Sequence, residues 1–280
     1  MDSLVSTDWL AGELGAADLR LLDATVFLPQ SGRDARAEYE AEHIPGAAFM
    51  DLDDIVDPGN PLPHSFPPAH LFASRARGLG IGDGDRILVY DNSPLHSAAR
   101  GWWMLRSFGA KRVAILDGGL AKWKAEGRPV ESAVQRPSAG HFTPVEVEGA
   151  VADKALVTTL VGSHEVEIVD ARPGARFRGE EAEPRAGVAP GHIPGSKSLP
   201  QSELFEADGT WKSGAALRAA FDAAGVDLSK PMVTTCGSGI TAAVLLFGAH
   251  LLGKEDVRLY DGSWSEWGAD PATPKAKGAP

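Results

Sequence analysis

A set of short blocks occurs twice in this chain, in the same order, and a sequence that repeats itself over such a span folds as two like units. The first copy holds LRLLDA at 19–24, HIPGA at 43–47, RILVYD at 86–91 and RVAILDGGLAKW at 112–123. The second holds VEIVDA at 166–171, HIPGS at 192–196, PMVTTC at 231–236 and VRLYDGSWSEW at 257–267. Within each copy, β-branched apolar runs alternate with helical patterns. That alternation predicts an α/β fold in which a parallel sheet flanked by helices is made twice. The first domain is expected over 1–135 and the second over 151–280, with a linker at 136–150 where periodicity fades and Pro, Ser and Gly gather. Ser213 can cap a helix over 213–225 that turns Leu217 and Phe221 inward, and the all-apolar stretch 241–252 predicts a buried helix. The tail 270–280 is expected to be loose.

The 280 residues suffice for two cores. A formal net charge of −11 argues against nucleic acid and anionic membranes as partners. No apolar run approaches the roughly 18 residues of a membrane-spanning helix, and residues 1–15 lack the pattern of a secretory signal. The single cysteine, Cys236, rules out an internal disulfide and fits a reducing, cytoplasmic setting.

By itself a lone cysteine reads as a small buried hydrophobe. Its neighbours change that reading. Cys236 ends an apolar β run and is followed by Gly237, Ser238, Gly239, Ile240 and Thr241, and then by the predicted buried helix. In open parallel sheets ligands bind beyond the carboxyl ends of the strands, so the thiol is expected at the mouth of a site. Glycines let the loop curl around the sulfur, and its N–H groups, with those of the helix start, favour an anion. Such a cradle suits a nucleophilic thiolate and, equally, a persulfide.

The loop CGSGITA, the two HIPG turns and the blocks DARPGARFRG and YDGSWSEW resemble the rhodanese superfamily, and within it the 3-mercaptopyruvate sulfurtransferase branch. The resemblance covers nearly the whole chain. It implies two tandem rhodanese-like domains, the first catalytically silent, with Asp91 aligned to Cys236. Cys236 would carry the sulfur within a loop whose Gly237, Gly239, Ile240 and Thr241 surround the donor. The resemblance also puts the family's carboxylate-binding arginines on Arg176 and Arg185, and a relay on Ser238, His64 and Asp53. A planar guanidinium suits such a task because it meets both carboxylate oxygens, although the neighbouring Glu180, Glu181 and Glu183 leave simple ion pairing open. Arg178 is expected only to pair outward. His43 and His192, one in each copy, read as turn-stabilising residues.

The implied reaction moves sulfur from 3-mercaptopyruvate through a persulfide to a small thiol, cyanide or reduced thioredoxin, releasing pyruvate. No metal or organic cofactor is implied. The thiosulfate branch resembles this one but carries basic residues at the positions of Gly237 and Ser238, which are neutral here. Thiosulfate sulfurtransfer and a non-catalytic persulfide carrier remain the alternatives. A phosphatase on the same scaffold would need a longer loop ending in Arg, and none occurs between Cys236 and Lys254. The glycine-rich run 78–85 precedes a strand instead of following one, so it reads as a turn.

Overall fold

The computed structural model describes residues 1–132 and 137–279. It divides into two compact units, residues 1–58, 66–147 and 207–210 in one, and 59–65, 148–206 and 211–280 in the other. The boundary expected between residues 135 and 136 lies outside the described residues. Residues 137–147 belong to the first unit: Arg77 donates to the Phe142 carbonyl, Asp83 accepts from Thr143, and the Val145 and Val147 N–H groups donate to the carbonyls of Phe108 and Ser107.

The first unit runs β1 (Leu4–Val5), α1 (Thr7–Glu13), β2 (Leu19–Asp23), α2 (Ala35–Ala41), β3 (Ala47–Phe49), α3 (Ala69–Gly78), β4 (Arg86–Tyr90), α4 (Ala98–Ser107), β5 (Val113–Leu116) and α5 (Gly119–Ala125). The second repeats the order as β6 (Val151–Ala152), α6 (Lys154–Leu160), β7 (Glu167–Asp170), α7 (Gly174–Arg178), β8 (Lys197–Ser198), α8 (Gly214–Ala223), β9 (Met232–Thr235), α9 (Ala242–Leu251), β10 (Val257–Tyr260) and α10 (Ser263–Trp267). The sheets have strand orders β1-β5-β4-β2-β3 and β6-β10-β9-β7-β8, with every pair parallel. The expected parallel α/β architecture is thus present in both copies.

Register fixes how the copies correspond. Asp23 pairs with Tyr90 in one sheet and Asp170 with Thr235 in the other. The next residues, Asp91 and Cys236, therefore leave their sheets at equivalent points. Each central strand is buried along its apolar part, as a sheet covered on both faces requires. Helix α9 has every residue from Ala242 to Ala249 buried, which explains its lack of a polar face. Helix α8 buries Leu217 and Phe221 as their spacing predicts, but Ser213 at its N-cap makes no side-chain capping bond.

Two further expectations concern the turns and the tail. His43 and His192 are both buried and donate Nδ1–H to the carbonyls of Tyr39 and Phe177, at 2.6 and 2.8 Å, so each closes its turn onto the preceding helix. The tail differs from expectation. Ala276 bridges to His192, Trp267 Nε1 donates to the Pro274 carbonyl (2.8 Å), and the Gly278 N–H donates to the Arg178 carbonyl (3.0 Å). Small polar and proline-rich composition concealed a segment anchored by its backbone. Among the described residues no helix is long and apolar enough to cross a membrane.

Candidate active site

Strand β9 delivers Cys236 to the carboxyl edge of the second sheet, and α9 begins six residues later. The chain must reverse within that interval. Gly239, at φ 82°, makes the left-handed step, and its N–H donates to Cys236 Sγ at 3.1 Å. No protein acceptor meets the N–H of Ile240, Thr241 or Ala242 among the described residues, so the loop keeps donors in reserve on the side where α9 starts. Gly237 serves another purpose than its neighbour: its φ is not left-handed, and a Cβ there would lie 3.4 Å from Arg176 Nη2. The thiol itself is 2% exposed.

The loop is pinned from below by α10. Ser263 accepts from the Cys236 N–H (3.2 Å) and donates to the Tyr260 carbonyl (2.7 Å). It does so from φ 49°, a conformation a non-glycine residue rarely holds. The Trp264 and Ser265 N–H groups donate to the carbonyls of Cys236 and Gly237, both at 2.9 Å.

Both expected arginines reach this loop. Arg176 sits on the short helix α7 and pairs with Glu183 while its guanidinium lies against Gly237. Arg185 donates Nη1–H to Ser265 Oγ (3.1 Å), and the Ser265 hydroxyl donates in turn to the Gly237 carbonyl (2.5 Å). The segment carrying Arg185 is held by Trp264 Nε1, which donates to the Ala189 carbonyl (2.8 Å). Burial holds Arg185 below its ordinary pKa; Cys236 opposes that shift and Arg176 adds to it. Arg178, by contrast, points outward to an exposed pair with Glu180.

Ser238 is 7% exposed, and its Oγ lies 2.9 Å from His64 Nδ1. His64 precedes the first unit's α3 in sequence, yet loop 59–65 belongs to the second unit. It too is left-handed, at φ 57°. Asp53 belongs to the first unit, where its N–H donates to Asp51 Oδ1 (3.2 Å).

A model of the rhodanese-like domain matches residues 6–126 and again residues 153–270. The chain belongs to the rhodanese family. Human 3-mercaptopyruvate sulfurtransferase is 44% identical over 277 residues, covering 95% of this chain and 91% of the relative. The crystal structure of SseA from Escherichia coli, described as a 3-mercaptopyruvate sulfotransferase, superposes with a TM-score of 0.86 at 39% identity, covering 95% of this chain and 100% of that one. Chicken thiosulfate sulfurtransferase is 39% identical over 278 residues, covering 95% and 93%.

The rhodanese site also holds residues that the sequence reading passed over. Arg172, 1% exposed, lies across Asp170, donates Nη1–H to Glu183 (2.9 Å) and stacks on Trp264 at 4.5 Å. Burial works against its charge, but Asp170, Glu183 and Cys236 together outweigh that and raise its pKa. A signal for it existed: an Arg follows Asp170-Ala171 where the other copy has Thr25. Ser263 likewise occupies the sequence position that Gly119 holds in the other rhodanese copy, and Gly119 is also left-handed (φ 56°).

In the first rhodanese unit Asp91 stands in place of the thiol. Its Oδ2 accepts from the Ala98 N–H (2.7 Å) and its Oδ1 from Ser93 (3.0 Å), and burial pushes its pKa up to about 6. Asp23 is raised to about 6 by the same cause.

Proposed function

We propose that this chain transfers the sulfur of 3-mercaptopyruvate to a thiol acceptor, with Cys236 as the carrier and pyruvate as the product. The observation that carries the reading is the convergence on one loop: a sulfur accepting a backbone N–H, the Arg176 guanidinium lying beside Gly237, and Arg185 linked to the Gly237 carbonyl through Ser265. The high identity to proteins named for this activity supports it.

In the first step the Cys236 thiolate attacks the donor sulfur. The sulfur–carbon bond breaks and its electron pair leaves as the enolate of pyruvate, which takes up the proton of the donor thiol. Cys236 is left as a persulfide anion facing the reserve N–H groups. In the second step an acceptor thiolate attacks the outer sulfur and restores the Cys236 thiolate. Arg176 and Arg185 hold the donor carboxylate, which lines up the sulfur with Sγ. Ser238 and His64 move the proton from sulfur to carbon, and the family resemblance assigns Asp53 to the same relay. A small thiol, cyanide or reduced thioredoxin serves as acceptor. Every turnover with a thiol acceptor consumes a reduced thiol, which suits a reducing, cytoplasmic setting. The first unit carries no sulfur.

Initial rates with 3-mercaptopyruvate and with thiosulfate, measured side by side, test the assignment. The loop's own Gly237 and Ser238 are neutral and leave the positive charge to the arginines of another segment, so kcat/KM is expected to favour 3-mercaptopyruvate by at least about tenfold. A unit charge at about 4 Å would be worth a few kcal/mol. A preference for thiosulfate would reassign the donor, and one sulfur loaded without turnover would make the chain a carrier.

The clamp has its own test. Arg185→Ala should raise KM for 3-mercaptopyruvate and lower kcat/KM about ten- to a hundredfold, the value of a lost charge-assisted hydrogen bond. Unchanged kinetics would return Arg185 to a structural role through Ser265.

A further inference from the structure

Three acidic side chains pair with Arg172, Arg176 and Arg178, and they are not alike. Glu180 pairs with Arg178 at the surface, whereas Asp170 and Glu183 are 1% and 4% exposed. Glu183 Oε1 accepts from Arg172 Nη1 at 2.9 Å, and its Oε2 accepts from Arg176 Nη2. Arg176 Nε approaches Oε1 at 3.4 Å. Arg172 cannot give way, because Asp170, the Gly191 carbonyl (2.8 Å) and the Trp264 ring hold it on three sides. Glu183 is therefore fixed from the Arg172 side, and Arg176 hangs from it.

That arrangement settles which edge of Arg176 remains for a ligand. The Nε/Nη2 edge is turned to Glu183. The Nη1/Nη2 edge is left, and it is the one directed at Gly237, where a Cβ would stand 3.4 Å from Nη2 and 4.0 Å from Nη1. We propose that Glu183 is a positioning residue that turns the outer edge of Arg176 toward the Cys236 loop, so that the donor carboxylate docks beside the sulfur. The inference rests on the reading of Arg176 as a carboxylate clamp. Burying a carboxylate is costly unless it is paired and hydrogen-bonded, and here two guanidiniums do both. A glutamine of the same size has one acceptor oxygen, and its amide nitrogen would face a guanidinium whichever way it turned.

A double-mutant cycle between Glu183→Gln and Arg176→Ala decides the matter, with KM and kcat for 3-mercaptopyruvate as readouts. Glu183→Gln alone is expected to raise KM about tenfold and leave kcat within about threefold. In the Arg176→Ala background it should add no more than about twofold, because its effect passes through a guanidinium already gone. A merely structural residue would act alike in both backgrounds, and that additivity, or an unchanged KM, overturns the proposal. If Glu183→Gln does not fold, Glu183→Asp, which keeps the charge but withdraws it by one methylene, enters the same cycle with the same criteria. If Arg176→Ala itself leaves KM unchanged, the clamp falls and this inference with it. If Arg176→Ala raises KM while residue 183 acts independently, only this inference falls.

Discussion

Cys236→Ser is expected to fold and to transfer no sulfur at all. The substitution changes one buried atom, and a serine Oγ can still accept the Gly239 N–H that now meets the sulfur at 3.1 Å. The loop's other ties, from Ser263, Trp264 and Ser265, involve backbone atoms of residues 236 and 237 and do not depend on the thiol. A hydroxyl, however, stays protonated at neutral pH and is a poor nucleophile. Incubation with donor alone should increase the mass of the wild-type protein by one sulfur atom and leave that of the variant unchanged. A near-normal thermal transition with zero turnover is the expected pair of results. Substantial residual transfer would remove the nucleophile from the mechanism and the mechanism with it.

The second large effect is expected at His64, and asparagine is the informative replacement. His64 sits at φ 57°, which asparagine tolerates better than most residues, so His64→Asn should leave the loop backbone in place. Its amide can still reach Ser238 Oγ, now 2.9 Å from the imidazole, but it cannot accept and release a proton at neutral pH. Loss of a positioned acid–base group should lower kcat by at least about a hundredfold. KM should move much less, because the carboxylate remains held elsewhere. Because the replacement removes an acid–base group from the site, the pH–rate profile should change shape. A variant with the wild-type profile would make His64 a structural prop and leave Ser238 and Asp53 without a role in proton transfer.

The fold was largely legible because its signals are local and repeated. LRLLDA and VEIVDA, or RILVYD and PMVTTC, are apolar β runs in any context, and their recurrence placed the same strands in both sheets. The cysteine loop was legible for the same reason: strand, glycines and helix follow one another along the chain. The arginines were not. From the residues alone, Arg176, Arg178 and Arg185 stand among three glutamates with nothing to rank them, and only resemblance singled out two. Burial ranks them in the structure, setting Glu183 inside at 4% exposure and Glu180 outside at 56%. Arg172 and Ser263 escaped notice because each works through residues remote in sequence. The tail was misread because its anchors are main-chain hydrogen bonds, to which side-chain composition is blind.

Asp91 bears on how far apart the two copies have travelled. Its carboxylate uses the N–H groups of Ser93 and Ala98, so the first unit's loop is filled from within. Exchanging Asp91 for cysteine would not by itself install a sulfur carrier. Pro94 would still stand where Gly239 donates an N–H, and proline has none to give. Thr25 would still stand where Arg172 supplies buried positive charge. Matching the second loop at these positions takes at least three substitutions, at Asp91, Pro94 and Thr25, so the first sheet ends in a closed carboxylate turn where the second ends in an open thiol cradle.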